Sequence, residues 1–172
     1  MMLRAIEIDE LEAACALNAR AFAASDYGHN GEADLVRWLH EDGDVLVSLG
    51  AWDGDLLTGH ILFSRMDVTA DGARIPAAAL APIAVALDHR RQGIAAALIS
   101  AGHDALRRQG ISIAFVLGDP AYYTRFGYDI ARAAPFASPY AGPHFMACAL
   151  DSALSFPQRG HANHAAAFSR LA

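Results

Sequence analysis

Asp88-His-Arg-Arg-Gln92 followed by Gly93 sets two guanidinium groups and an imidazole directly before a helical pattern that lasts to about Gln109. The residues before it, Ile83-Ala-Val-Ala-Leu87, are apolar and strand-forming, so the segment reads as strand, basic turn, helix. A glycine at a helix start lets the backbone approach a ligand closely. The free N–H groups of the first turn and the helix dipole then favour an anion there. Arg90 and Arg91 add positive charge at the same point. The chemistry implied is recognition of a phosphate or diphosphate. A Walker loop would need a second glycine followed by Lys-Ser/Thr, and a dinucleotide fingerprint would need three spaced glycines. The chain offers neither.

A second segment carries acid–base chemistry. Ser112-Ile-Ala-Phe-Val-Leu117 is a continuous apolar run, the pattern of a strand covered on both faces. Gly118-Asp-Pro-Ala-Tyr-Tyr-Thr-Arg-Phe-Gly-Tyr128 follows at once. Asp119 suits an N-cap and Pro120 the first helical position, and Gly127 ends the short helix that they start. Tyr123 lies four residues before the Gly127-Tyr128 pair. Tyr122, about 100° away around the same helix, is expected to pack in the core.

Together the two segments carry a resemblance. Arg90-x-x-Gly93-x-Ala95 is similar to the Q/R-x-x-G-x-G/A signature of the GNAT superfamily of acyl-CoA-dependent N-acetyltransferases. Tyr123, Gly127 and Tyr128 match the spacing of that family's later motif, in the right order. Leu-Gly-Asp-Pro-x-Tyr-Tyr-x-Arg-Phe-Gly resembles the YhbS-like branch in particular. Leu87 departs from the pattern, standing where the family often has proline.

The resemblance implies an α/β (mixed α+β) fold, a central mixed sheet flanked by helices. In it the strand before the signature and the strand after its helix splay into a wedge, here between Ile83–Val85 and Phe115–Leu117. Acetyl-CoA would be the co-substrate, held by Ile83, Ala84 and Val85 and by Arg90, Arg91, Gln92, Gly93, Ile94 and Ala95. The implied reaction is direct attack on the thioester by an amine of a small molecule, peptide or protein, with Tyr123 as the general acid. A thiol of pKa about 8.5 and a tyrosine of about 10 differ by roughly 2 kcal/mol, a modest uphill transfer. The general base is open between Glu32 and His60. A non-catalytic acyl-CoA-binding regulatory module would use the same signature. The loops expected to shape the acceptor site are Ala23–Asn30 and Ala131–Tyr140. Homodimerisation is common in the superfamily.

The elements that must position these groups follow from pattern. Leu3–Ile8 reads as a strand, and Asp9 as the cap of a helix reaching Phe22. Glu32–Asp42 reads as a second helix, and Val45–Trp52, Leu56–Val68 and Ile75–Leu87 as strands joined by Asp53-Gly-Asp and Ala70-Asp-Gly turns. The helix of Gly93–Gln109 turns Ile94, Leu98, Ala101, Ala105 and Leu106 inward. Its Ala95, Ala96, Ala97 and Gly102 are small enough for close approach to a sheet, and Arg107 and Arg108 suit its C-terminal end. Phe145–Leu150 is a last strand and Ala165–Leu171 a short helix, within a weakly patterned extension over 151–172. One domain over 1–172 is expected.

With 54% hydrophobic and 19% charged residues the composition is that of a folded globular chain. A net charge of −6 argues against a nucleic-acid partner, which calls for a basic face. No apolar run is long enough to span a membrane and no signal peptide is evident, so a cytoplasmic protein is expected. Cys15 and Cys148 read as reduced, buried thiols. His161-x-x-His164 lacks a third ligand, so no metal is expected.

Overall fold

The computed structural model, which describes residues 1–24 and 31–171, is organised around one long strand, β3 (Leu56–Ala70). β1 (Met2–Ala5), β2 (Val45–Asp53), β4 (Ala73–Val85), β5 (Ile113–Leu117) and β7 (Phe145–Ala149) complete the order β1-β2-β3-β4-β5-β7. All neighbours on this path are antiparallel except β4 and β5. Asp71 and Gly72, with φ of 48° and 86°, form the two-residue turn that pairs Ala70 with Ala73. Positive φ at both central residues is what matches a tight turn to the twist of its strands.

The continuous apolar run of β5 has a direct structural cause. Ile113 and Phe115 face one core, shared with α1 (Leu11–Ala23) and α2 (Glu32–Glu41), while Ala114 and Val116 face the other, under α3 (Ile94–Arg108). Cys15 belongs to the first core and Cys148 to the second. Both thiols are free and buried on opposite sides of the sheet. On α3 the inward face is Ile94, Leu98, Ile99, Gly102, His103 and Leu106, while Ala101 and Ala105 lie at its half-buried margin. A Cβ on Gly102 would sit 2.3 Å from Cε2 of Phe63, so glycine there sets how closely α3 lies on the sheet.

Several expectations are corrected. β1 ends at Ala5, and Asp9 does not cap the helix. A 3-10 turn over Ile8–Glu10 comes first, in which the Glu10 carboxylate accepts from the Glu7 N–H (2.9 Å) and pairs with Arg4 (2.7 Å). β4 stops at Val85, with Leu87 in a 3-10 turn. The Ala131–Tyr140 patch is no open loop. Asp129 caps α5 (Ile130–Ala133) through the Ala131 N–H, and Phe136 of β6 (Phe136–Ala137) is buried edge-on to Phe115, with centroids 5.1 Å apart.

The extension over 151–172 contains β8 (Gly160–His164), which pairs Met66–Ala70 of β3 on the side that β2 leaves after Ser64. Its sequence, Gly-His-Ala-Asn-His, carries no large apolar residue, which is why pattern alone misses it. The expected short helix is a 3-10 segment, Ala166–Arg170. Among the described residues no helix is long and apolar enough to cross a membrane.

The wedge follows from register. β4 and β5 pair only over Ala77↔Ile113, Ala78↔Ala114 and Ala79↔Phe115, after which the strands separate. On its other side β4 stays paired to β3, past a bulge between Ile61 and Phe63. The Ala86 N–H donates to the Thr58 carbonyl at 2.8 Å. Hydrogen-bonded and non-bonded pairs alternate in an antiparallel ladder. His60↔Ala84 is therefore a bonded pair, whereas Ile61↔Ile83 and Gly59↔Val85 are not. Ile83 and Val85 thus aim their backbone N–H and C=O groups at the gap that β5 vacates.

Candidate active site

A cavity of about 460 Å³ opens at this gap. Its walls are Ile83–Val85 at the end of β4, His89, Arg90 and Arg91 in the following turn, Gly93–Ala96 at the start of α3, and Tyr122 and Arg125 from beyond β5. Of the residues that the sequence assigns to cofactor binding, all but Gln92 line it. Gln92 is exposed beside the cavity.

The turn is shaped to present donors. Arg91 and Gly93 have φ of 63° and 80°, a conformation that turns the chain sharply and that glycine adopts without penalty. The first helical bond runs from the Ala97 N–H to the Gly93 carbonyl at 3.0 Å. The N–H groups of Ile94, Ala95 and Ala96 thus have no backbone acceptor among the described residues, and all three residues line the cavity. Arg90 donates to the Ala21 carbonyl at the end of α1 (3.3 Å). Among the described residues, neither Arg90, Arg91 nor Arg125 pairs with a carboxylate, whereas Arg4, Arg37, Arg65, Arg74, Arg107 and Arg170 all do. Nδ1 of His89 is buried without a hydrogen-bond partner there. Three free amides, unpaired guanidinium groups and an open strand edge thus converge on one cavity.

The two tyrosines of the short helix meet the cavity differently. Asp119 caps α4 (Pro120–Tyr123) by accepting from the Ala121 N–H at 3.0 Å, as the sequence indicates. Tyr122, expected to pack inside, forms the cavity wall, with the Arg125 guanidinium 4.9 Å over its ring. Tyr123, also half-buried, lies edge-on to both Tyr122 (5.1 Å) and Tyr128 (6.0 Å). It lies so close to Gly118 that a Cβ there would meet its Cε2 at 2.5 Å. Burial, reinforced by Tyr122 and Asp119, pushes the Tyr123 hydroxyl up to about 12. The residues that sequence reasoning missed here are Tyr122, Arg125 and His89. The signal for Arg125 was its place one turn after Tyr122, which sets the two side chains on one face.

The two base candidates separate. His60 is fully buried in β3, where Nδ1 meets the Asn18 amide at 3.0 Å and Nε2 meets the Ser48 hydroxyl at 2.9 Å. The Asn18 amide also donates to the Ala14 carbonyl, which leaves Nδ1 the acceptor and Nε2 the protonated nitrogen. Burial drives the imidazole down to about 3. His60 is a satisfied core residue with no free nitrogen for a substrate, which corrects its candidacy as base. Glu32 lies in the first turn of α2 and does not line the cavity. Of the acceptor loop expected at Ala23–Asn30, residues 25–30 lie outside the described residues. His161 and His164 fall on opposite faces of β8, His161 exposed and His164 edge-on between Tyr140 and Phe168 at 4.8 Å each.

This arrangement has counterparts among known proteins. Residues 2–131 match the model of the acetyltransferase (GNAT) domain family. Over 112 residues the chain is 37% identical to the uncharacterized N-acetyltransferase YhbS of Escherichia coli, covering 64% of this chain and 66% of that protein's length. The crystal structure of YhbS from Escherichia coli in complex with CoA superposes with a TM-score of 0.83 at 30% identity, covering 98% of this chain and 92% of that one. A GNAT family acetyltransferase from Brucella melitensis, solved in complex with acetyl-CoA, superposes with a TM-score of 0.79 at 26% identity over 97% of each chain. With its wedge, its donor-lined turn and these matches, the chain belongs to the GNAT acetyltransferase family.

Proposed function

We propose that this protein transfers an acetyl group from acetyl-CoA to an amine of a small molecule or peptide, by direct attack within the wedge. The observation that carries this is the register of β4, which turns the backbone groups of Ile83 and Val85 into the gap beside three free amides of α3. The pantetheine amides would bond to those strand groups as an added strand does. The diphosphate would take the N–H groups of Ile94, Ala95 and Ala96 with Arg90 and Arg91 around it. Acetyl-CoA supplies an activated acyl group as a thioester. A backbone N–H at the wedge can meet the negative charge that builds on its carbonyl oxygen.

Tyr123 is the general acid in this scheme. A phenol near 12 stays protonated at neutral pH, but it gives its proton to a thiolate of ordinary pKa about 5 kcal/mol uphill. The same dry environment raises the thiol too, which narrows the gap. Glu32 is the remaining side chain proposed to take up the amine proton. A cytoplasmic setting agrees with two free, buried cysteines.

The test is a thermal melt with acetyl-CoA, ATP or NAD. A ligand at 100 times its dissociation constant adds about 2.7 kcal/mol, which for a chain of this size raises the midpoint by about 5–10 °C. A rise with acetyl-CoA alone, followed by amine-dependent thiol release, is the expected result. A rise without release over a broad amine panel would instead indicate a sensor of acyl-CoA. No rise would overturn the proposal.

A further inference from the structure

The cavity carries more positive charge than a diphosphate needs, and it carries it on two separate walls. Arg90, Arg91 and the α3 amides form one wall, and Arg125 reaches the cavity from beyond β5. Arg125 is exposed and has no carboxylate partner among the described residues, in a chain whose net charge is −6. Its guanidinium lies over the Tyr122 ring at 4.9 Å. Stacking covers a face of the guanidinium and spends no N–H, so the planar fork of donors stays available at its edge. A group held this way, at the rim of a phosphate-binding cavity, is preorganised for a second phosphate.

Coenzyme A has one. Besides the diphosphate it bears a phosphomonoester on the ribose 3′ position, a dianion or nearly so at neutral pH. Arginine is suited to such a group because two parallel N–H bonds match two of its oxygens. We propose that Arg125, aligned by Tyr122, binds the ribose 3′-phosphate and so makes the site selective for CoA thioesters over their 3′-dephospho forms. The inference rests on the acetyl-CoA reading above, and its test separates the two.

Dissociation constants for acetyl-CoA and 3′-dephospho-acetyl-CoA are measured by calorimetry for the full chain and for Arg125→Gln, with Arg108→Gln, at the far end of α3, as a charge-matched control. The expected wild-type preference for acetyl-CoA is about tenfold, the scale of one charge-assisted contact. Arg125→Gln should bring the two ligands within about twofold of each other by weakening acetyl-CoA alone. Arg108→Gln should keep the full preference. Tyr122→Leu, which removes the platform but not the charge, should lose part of it. Equal weakening of both ligands by Arg125→Gln, or no effect on either, overturns the assignment. Failure of the wild-type chain to bind either thioester overturns the acetyl-CoA reading instead.

Discussion

A hydroxyl can protonate a leaving thiolate only if it both reaches the sulfur and keeps its proton until needed. At the residue scale the second condition is met by both tyrosines of α4, since burial raises each. Reach is what kinetics must separate, because Tyr122 lines the cavity and Tyr123, also half-buried, lies edge-on beside it. Tyr123→Phe is expected to cut kcat at least tenfold with acetyl-CoA affinity unchanged, and Tyr122→Phe to change kcat by less than threefold, which is the scale separating a positioned acid from a packing hydroxyl. Steady-state kinetics with calorimetric binding decides it, and the reverse ranking would move the acid role to Tyr122. In the same assay Glu32→Gln should lower kcat and move the rate optimum to higher pH. An unchanged rate would leave Glu32 as a first-turn acid stabilising α2. Spacing from Gly127 pointed to Tyr123 but could not say which ring faces the cavity, since that depends on how α4 rests on Gly118 and Tyr128. His60 shows the opposite gap. A histidine in an apolar strand looks available in sequence, whereas Asn18 and Ser48, which occupy both its nitrogens, lie on α1 and β2.

At the scale of elements, the strand–turn–helix at 83–108 was legible because every part of it is local: an apolar run, a basic turn, a glycine and a 3.6-residue stripe. The wedge was only implied, since it depends on where β4 and β5 stop pairing. β8 was hidden because its five residues earn their place through backbone pairing with β3 rather than through apolar side chains. The register of β4 makes a sharp prediction. In the free protein the Ile83 and Val85 amides should exchange with deuterium quickly and the Ala84 amide slowly, because only the Ala84 amide is bonded to β3. Saturating acetyl-CoA should slow Ile83 and Val85 and leave Ala84 alone, as read by residue-resolved exchange. Uniform slowing of all three, or of none, would contradict the strand-addition geometry.

For the whole molecule, burial lowers four histidines, His60 to about 3, His103 to about 4 beside the Tyr128 hydroxyl (2.8 Å), His164 to about 4, and His40 less far. Unfolded, each would take a proton below about 6.5, so the unfolded chain binds more protons than the folded one between roughly pH 6.5 and 4. Stability should be flat above pH 6.5 and fall as pH drops through that window, by about 1.4 kcal/mol per unit for each histidine that must stay neutral. Circular-dichroism melts at pH 8, 6.5 and 5 check this, and an unchanged midpoint at pH 5 would contradict it. The Arg4–Glu10 pair enters only at the bottom of that window, because with Glu10 drawn down to about 2 by Arg4 its contribution is lost as pH falls from about 4.5, the unfolded carboxylate's value, towards 2. All thirteen basic residues are arginine, so the chain offers its own thioester site no lysine to modify, and label recovered on added peptides reports the acceptor. The parting of β4 from β5 carries one more consequence. It puts a raw strand edge in the interior of a sheet, where barrels and sandwiches keep none, and an edge of that kind templates pairing with any extended chain that reaches it. A co-substrate lying along Ile83–Val85 would then also guard against self-association. Concentrated protein stripped of it should form oligomers that added acetyl-CoA disperses.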